Sequence, residues 1–301
     1  MSKEFILSCE STVDLPYSYV EKREIPVAFY SYTIDGVEYP DDMGRDKDAL
    51  PNFYKFLSDG KLPTTSQFIL YRYLDFFEEI LGKGKDILHI AFGSGMTPSV
   101  NNAKKAAEML KEKYPDQKIV VIDSFCSSSG YGLIVDYAAD MRDEGKSIDE
   151  TAEWVENNSR TVHHQFFSTD IKYFRRSGRV SGAAAMAASV LGICPIMRLD
   201  DNGKIIAYDK VRGKKNAIKR TIDEMLIHAQ NGADYSGKCF IAHSNCESEA
   251  LETIKSVEDN FPNLKGKIKI CDIGTIIASH CGPGTVAVFF LGDERQPDKK
   301  K

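Results

Sequence analysis

A chain of 301 residues with 42% hydrophobic and 28% charged residues is long enough to bury a large core, and divides more comfortably into two domains than one. A net charge of −5 argues against general nucleic-acid binding. No run of 18 apolar residues offers an integral membrane segment, and the three consecutive apolar residues of "FIL" are too few for a signal-peptide core, so the chain is expected to be soluble and cytoplasmic.

In the first half, short apolar runs alternate with amphipathic helical patterns. "FILS" (5–8), "IPVAFYSYTI" (25–34), "DILHIAF" (86–92) and "KIVVID" (118–123) read as strands, and 69–81 and 99–114 as helices with apolar positions three and four residues apart. Strand and helix in turn predict a parallel sheet covered on both sides. Ser147 and Glu150 stand in capping-box spacing at the start of a helix over 147–158, and a domain boundary is placed near 160. In the second half, "ICPIMRLDDNGKIIAYDKV" reads as a hairpin whose "DDNG" turn favours positive φ. A helix over 216–230, a strand over 238–244, a helix over 247–259 and strands over 267–273 and 284–292 follow, a pattern for a mixed sheet with helices on one face. The fold class is therefore α/β in two domains: a parallel α/β/α domain over 1–160 and a mixed-sheet α/β domain over 161–295, with 296–301 as a frayed tail.

Seven cysteines, at 9, 126, 194, 239, 246, 271 and 281, are odd in number and scattered without a C-x-x-C pair. That pattern indicates neither a disulfide framework nor a metal knuckle, and the thiols are read as reduced and mostly buried. No metal or cofactor is expected.

Four polar knots carry the chemistry. In "HIAFGSGMTPSVNNA" (89–103) a strand ends, five residues turn, and Pro98 occupies a first helical position with Thr97 as its N-cap. Such a junction at the carboxyl edge of a parallel sheet favours an anion; Gly93 and Gly95 let backbone approach closely, and Ser94 and Thr97 add hydroxyls. It is neither a nucleophile elbow, because Phe92 and Met96 stand where glycines would be needed, nor a Walker loop. "PTTSQ" (63–67) places Thr64, Thr65 and Ser66 before the helix at 69–81, where a hydroxyl can also simply cap that helix. "SHCGPGT" (279–285) sets His280 beside a Gly-Pro-Gly turn, and "FRRSGRVSGAAAMAASVLG" (174–192) joins three arginines to a small-residue apolar helix.

In this order the knots resemble the DegV family of bacterial lipid-binding proteins over nearly the whole chain. "ESTVDL" (10–15) is similar to the family's D-S-T-x-D-L, Thr65-Ser66-Gln67 to its T-S-Q, and "GSGMTPSVNNA" (93–103) to its S-S-G-x-S-G-T-Y-Q-S-A. "SGRVS" (177–181) is similar to its G-G-R-[IV]-S, and 280–284 to its H-x-G-P-G. The resemblance implies two domains, the second two-layered, holding one long-chain fatty acid in a tunnel between them. It also implies a carrier rather than an enzyme, with a separate ATP-dependent fatty acid kinase phosphorylating the bound carboxylate for phospholipid synthesis. By the same analogy the carboxylate is held by Thr65, Ser66, Ser94, Gly95, Thr97 and His280, with the clamp centred on Thr65, Ser94 or Thr97, and His280. A carboxylate leaving water needs those donors, since burial without partners costs several kcal/mol. The Ala-rich stretch with Ala184, Met186, Ala187 and Val190 is expected to wall the tunnel, small side chains leaving room for the acyl chain. Three departures matter: Gly93, Pro98 and Ser177 replace a family Ser, Gly and Gly, the first removing a hydroxyl from the head-group region while Thr97 keeps one.

Residues 172–220 hold twelve Lys or Arg against three Asp, a net +9. Arg176, Arg179 and Arg212 within it are expected to flank the tunnel mouth and dock an acidic partner, the kinase subunit. Two rival readings use the same residues. One is a lipid esterase with Ser94 as nucleophile, His280 as base and Asp123 as orienter. The other is a phosphate- or nucleotide-binding regulator using the glycine loop and the basic segment.

Overall fold

The computed structural model describes residues 5–181 and 192–298. Its strands in chain order are β1 (Phe5–Glu10), β2 (Val27–Ala28), β3 (Ser31–Ile34), β4 (Val37–Pro40), β5 (Thr64–Thr65), β6 (Asp86–Ala91), β7 (Ile119–Asp123), β8 (Val162–Ser168), β9 (Val180–Ser181), β10 (Ile193–Leu199), β11 (Ile205–Arg212), β12 (Phe240–His243), β13 (Lys269–Asp272) and β14 (Thr285–Leu291). The helices are α1 (Tyr17–Lys22), α2 (Ala49–Ser58), α3 (Leu70–Leu81), α4 (Ser99–Leu110), α5 (Ser128–Asp143), α6 (Ile148–Asn158), α7 (Lys172–Ser177), α8 (Lys214–His228), α9 (Glu247–Asn260) and α10 (Thr275–Cys281).

The expected parallel sheet is present, in the order β2-β1-β6-β7 with every pairing parallel. Five of the six residues of β6 are buried, as a central strand covered on both faces requires. A mixed sheet follows in the order β13-β12-β14-β8-β10-β11-β9, with β10 and β11 forming the expected hairpin around Gly203 at φ +73°. The Ser147–Glu150 capping box opens α6 as expected. All seven cysteines are free; six are buried and Cys246 is half-buried. Among the described residues no helix is long and apolar enough to cross a membrane.

Three expectations are corrected. The run 25–34 is not one strand. Its first part, β2, pairs with β1, while β3 leaves to form a small antiparallel sheet with β4 and β5, because the Tyr30 amide between them is taken by Ser11 Oγ at 3.1 Å. Helices α1, α2, α5, α7 and α10 lie where the sequence reading placed none; α5 is the instructive case. Twelve of its sixteen residues are buried, so it carries no polar stripe and hence little helical periodicity. Its burial also overturns the one-faced second sheet: α8 and α9 cover one face, and α5, from the first half of the chain, packs on β8, β12 and β14 from the other side while touching β1. Glycines make that wedge possible. A Cβ on Gly130 would stand 2.3 Å from His164 Nε2, and one on Gly132 would stand 2.6 Å from the Val13 carbonyl oxygen.

Candidate functional site

The loops at the carboxyl ends of β6 and β7, the short strand β5 and helix α10 meet around a cavity of about 320 Å3. This is at the lower end of the size range of ligand pockets, roughly 300–1,000 Å3. Its polar end is made by Thr65, Ser66, Gln67, Thr97, Arg179 and His280; Phe92, Phe174, Ile205, Ile276 and Ile277 supply apolar wall. A pocket of about 50 Å3 shares Ser127, Phe174, Ile205, Ile277 and Cys281 with it and continues past Ser128, His164 and Thr285 to Phe166, Ala287 and Phe289 on the mixed sheet. The lining therefore grades from polar at one end to apolar at the other.

Each polar group has a local cause. Thr65 lies on β5, registered opposite Tyr32 of β3. Its Oγ1 is 2.8 Å from His280 Nε2, which joins residues 215 apart in the chain. The following loop is tied to α4: the Phe68 amide donates to Ser99 Oγ at 3.0 Å, and Asn102 Nδ2 donates to the Phe68 carbonyl at 2.9 Å. Helix α10 brings Ile276, Ile277 and His280 to the cavity on adjacent turns. Its start is held by Asp41, whose Oδ1 accepts from Thr275 Oγ1 at 2.7 Å and from the Thr275 amide at 3.3 Å, and its end by Arg176, which donates to the Ser279 carbonyl at 3.2 Å. Burial, reinforced by the positive charges of Arg179 and then Arg176, lowers the His280 pKa to about 4. The ring is therefore neutral at physiological pH, with one N–H to offer, next to a guanidinium.

The glycine loop is used differently from the expectation. Ser94 is exposed and outside the cavity lining; its amide donates to Asp123 Oδ1 at 3.0 Å, which also accepts from the Phe125 amide at 2.9 Å. Gly93 and Gly95 do admit close backbone, but the backbone is the protein's own. A Cβ on Gly93 would meet the Cys126 carbonyl oxygen at 2.7 Å, and one on Gly95 the Gly203 carbonyl oxygen at 2.3 Å. Helix α4 begins at Ser99, as the pattern over 99–114 predicts, with Pro98 preceding it rather than forming its first residue; Thr97 Oγ1 receives the Ser99 amide at 3.4 Å. The esterase arrangement is not assembled: among the described residues His280 bonds Thr65, while Ser94 faces solvent.

Of the basic segment, Arg179 lines the cavity, with its guanidinium on the Ser177 carbonyl. Arg212 does not flank the same mouth. Val180 registers with Ile205, and Arg212 lies seven residues farther along β11, roughly 23 Å at 3.3 Å per residue. Part of the +9 is neutralised from outside the segment by Lys214–Glu249, Lys219–Asp223 and Arg220–Glu224. Ala184, Met186, Ala187 and Val190 lie outside the described residues. Missed from sequence were Tyr30, Ser127 and the α10 isoleucines; the serine run of "CSSSGYG" before α5 was a readable helix-start signal, whereas the glycines on either side of 275–281 disguised α10 as a turn.

A larger cleft, about 500 Å3, opens near the start of α10, but Glu21, Asp42 and Asp272 line it against the single cation Arg45, a balance that disfavours a carboxylate.

The family model described as "uncharacterised protein, DegV family" matches residues 7–293. The chain belongs to the DegV family. A DegV domain-containing protein of Clostridium perfringens, CPE0026, is 37% identical over 296 residues, covering 98% of this chain and 100% of its own length. Among solved DegV structures, the Bacillus subtilis protein described as a fatty acid binding protein superposes with a TM-score of 0.77 at 26% identity, covering 97% of this chain and 100% of its own. A DegV family protein from Eubacterium eligens, solved loaded with heptadecanoic acid, gives a TM-score of 0.81 at 21% identity, covering 96% of this chain and 100% of its own.

Proposed function

We propose that this DegV protein binds one long-chain fatty acid, its carboxylate at Thr65, His280 and Arg179 and its acyl chain running toward Phe289, and presents it to a separate fatty acid kinase. The observation that carries the reading is the Thr65–His280 pair, 2.8 Å apart, at the polar end of a cavity whose continuation is apolar. A carboxylate placed there receives a hydroxyl, an imidazole N–H and a guanidinium, the donor set that offsets its desolvation. Each methylene buried beyond it adds about 0.8 kcal/mol. The description of the Bacillus subtilis relative as a fatty acid binding protein and the heptadecanoic acid held by the Eubacterium eligens relative support the ligand class. Ser66 and Thr97 complete the polar end as further hydroxyls, while Ser94 and Gly95 hold the loop in shape.

The two-domain division near residue 160 belongs to the same proposal: the parallel and mixed sheets fall on either side of it, and the cavity lies between them. The chemistry is assigned to the kinase, with exposed Arg176 and Arg212 as its docking contacts and this chain as carrier. Native mass spectrometry of the purified protein, followed by lipid extraction, tests the binding step. One co-purified fatty acid per chain is expected; a chain that arrives empty and takes up neither palmitate nor oleate would sink the reading.

A further inference from the structure

At the end of the β8–β14 pair remote from the Ser168–Thr285 register, three ligand-type side chains converge from three segments. His163 is the second residue of β8, His228 the last of α8, and Asp293 follows the end of β14 by two residues. Asp293 Oδ1 lies 2.9 Å from His163 Nε2 and 3.0 Å from His228 Nδ1, and all three ligand atoms fall within 4.8 Å of one another. The two imidazole rings stack with centroids 4.8 Å apart and planes 22° from parallel, so both nitrogens address the same carboxylate.

Main-chain bonds hold the cluster in register. The Asp293 amide donates to the His228 carbonyl at 3.0 Å, and the Gln230 amide donates to the Leu291 carbonyl at 3.1 Å. Glycine at 292 is required by the ring beside it: a Cβ there would stand 2.7 Å from His163 Cδ2 and 2.3 Å from the His228 carbonyl oxygen. His228 lies between two carboxylates, with Nε2 3.5 Å from Glu224 Oε2 and Nδ1 against Asp293. An ion at Nδ1 would leave Nε2 facing Glu224, the carboxylate–histidine–metal order common around bound metals.

We propose that His163 Nε2, His228 Nδ1 and Asp293 Oδ1 bind a divalent transition-metal ion of the Zn2+ type, with water completing the shell. Bonds of about 2.0–2.2 Å place tetrahedral ligand atoms roughly 3.3 Å apart, near the 2.9 and 3.0 Å that separate Asp293 Oδ1 from the two imidazole nitrogens. Two imidazoles with one carboxylate select such an ion over Ca2+ or Mg2+, which take oxygen ligands. Asp293 is 57% exposed, so the ion enters directly from solvent. Once bound it fastens the start of β8, the end of α8 and the segment leaving β14. The site lies across the mixed sheet from the acyl pocket: His164, the next residue, lines that pocket from the opposite face.

Co2+ serves as the probe, because its visible spectrum reports the ligand type. Chelator-treated protein with reduced thiols is expected to take up one Co2+ per chain, with no thiolate-to-cobalt band in the near ultraviolet. His228→Ala and the isosteric Asp293→Asn should each weaken uptake roughly tenfold or more, with far-ultraviolet circular dichroism unchanged. Absence of stoichiometric uptake, undiminished uptake by Asp293→Asn, or a dominant thiolate band would each overturn the site.

Discussion

Thr65 and His280 decide most at the scale of single residues. Removing either donor leaves a buried carboxylate short of a partner, so Thr65→Val and His280→Ala are each expected to weaken fatty-acid binding by about 1–3 kcal/mol in displacement titration. Unchanged affinity in both would move the carboxylate elsewhere. Arg179→Ala is expected to lower lipid affinity as well, because its side chain lines the cavity. Arg212→Ala should leave lipid affinity intact and reduce acyl-phosphate formation with kinase and ATP; equal formation would leave Arg212 a solvated residue. His280 also makes stability pH-dependent. Its folded pKa of about 4 lies below the ordinary 6.5, so the unfolded chain takes the proton first as pH falls. That contribution is complete above about 6.5 and is lost on the way down to about 4. His280→Gln should therefore lose less stability than the wild type between about pH 7 and about pH 5 in urea unfolding.

Among the elements, α10 and the loop after β6 do the positioning. Asp41, from the end of the β3–β4 hairpin, caps α10 through Thr275 and so fixes the helix that carries His280. Asp41→Ala removes that cap, at an expected cost of about 0.5–2 kcal/mol, and should loosen fatty-acid binding although Asp41 is not part of the cavity lining. Stability lost without any change in binding would show that α10 is held well enough by its other contacts. The β6–α4 loop touches the β10–β11 turn through Gly95 and Gly203 with no room for a methyl group. Gly95→Ala must push two backbones apart, and a destabilisation of roughly 1–3 kcal/mol is expected in urea denaturation. A neutral result would mean that the two loops separate freely.

For the whole molecule, α5 is the joint between the sheets. It packs against β1 of the parallel sheet and against β8, β12 and β14 of the mixed one. Arg295, buried near the end of the described chain, adds to the joint by donating to the Phe125 carbonyl at 2.8 Å and the Ser159 carbonyl at 3.3 Å. A fragment ending at residue 160 would expose the apolar face of α5 to water. It is expected to bind a hydrophobic dye and to lack sharp tertiary signals, whereas the full chain unfolds in one transition by fluorescence and circular dichroism. A well-folded fragment would show that the halves are independent.

The split between what was legible and what was not follows from the range of the interactions. Strand–helix alternation, the capping box at Ser147 and Glu150 and the "DDNG" turn are local signals, carried by residues a few positions apart, and each reappears in the structure. The ordered motifs likewise placed Thr65 and His280 in one site before any contact between them was visible. Helix α5 escaped because a segment buried on nearly every side loses the polar stripe that marks a helix. Ser94 and Thr97 looked alike in sequence, and only folding turned one to solvent and the other to the cavity. Gly93 and Gly95 announced a close approach but not its partner, which proved to be backbone more than 30 residues away in each case. Arg179 and Arg212 were parted by the register of β9 on β11, since strand pairing is a long-range choice that residue spacing does not encode.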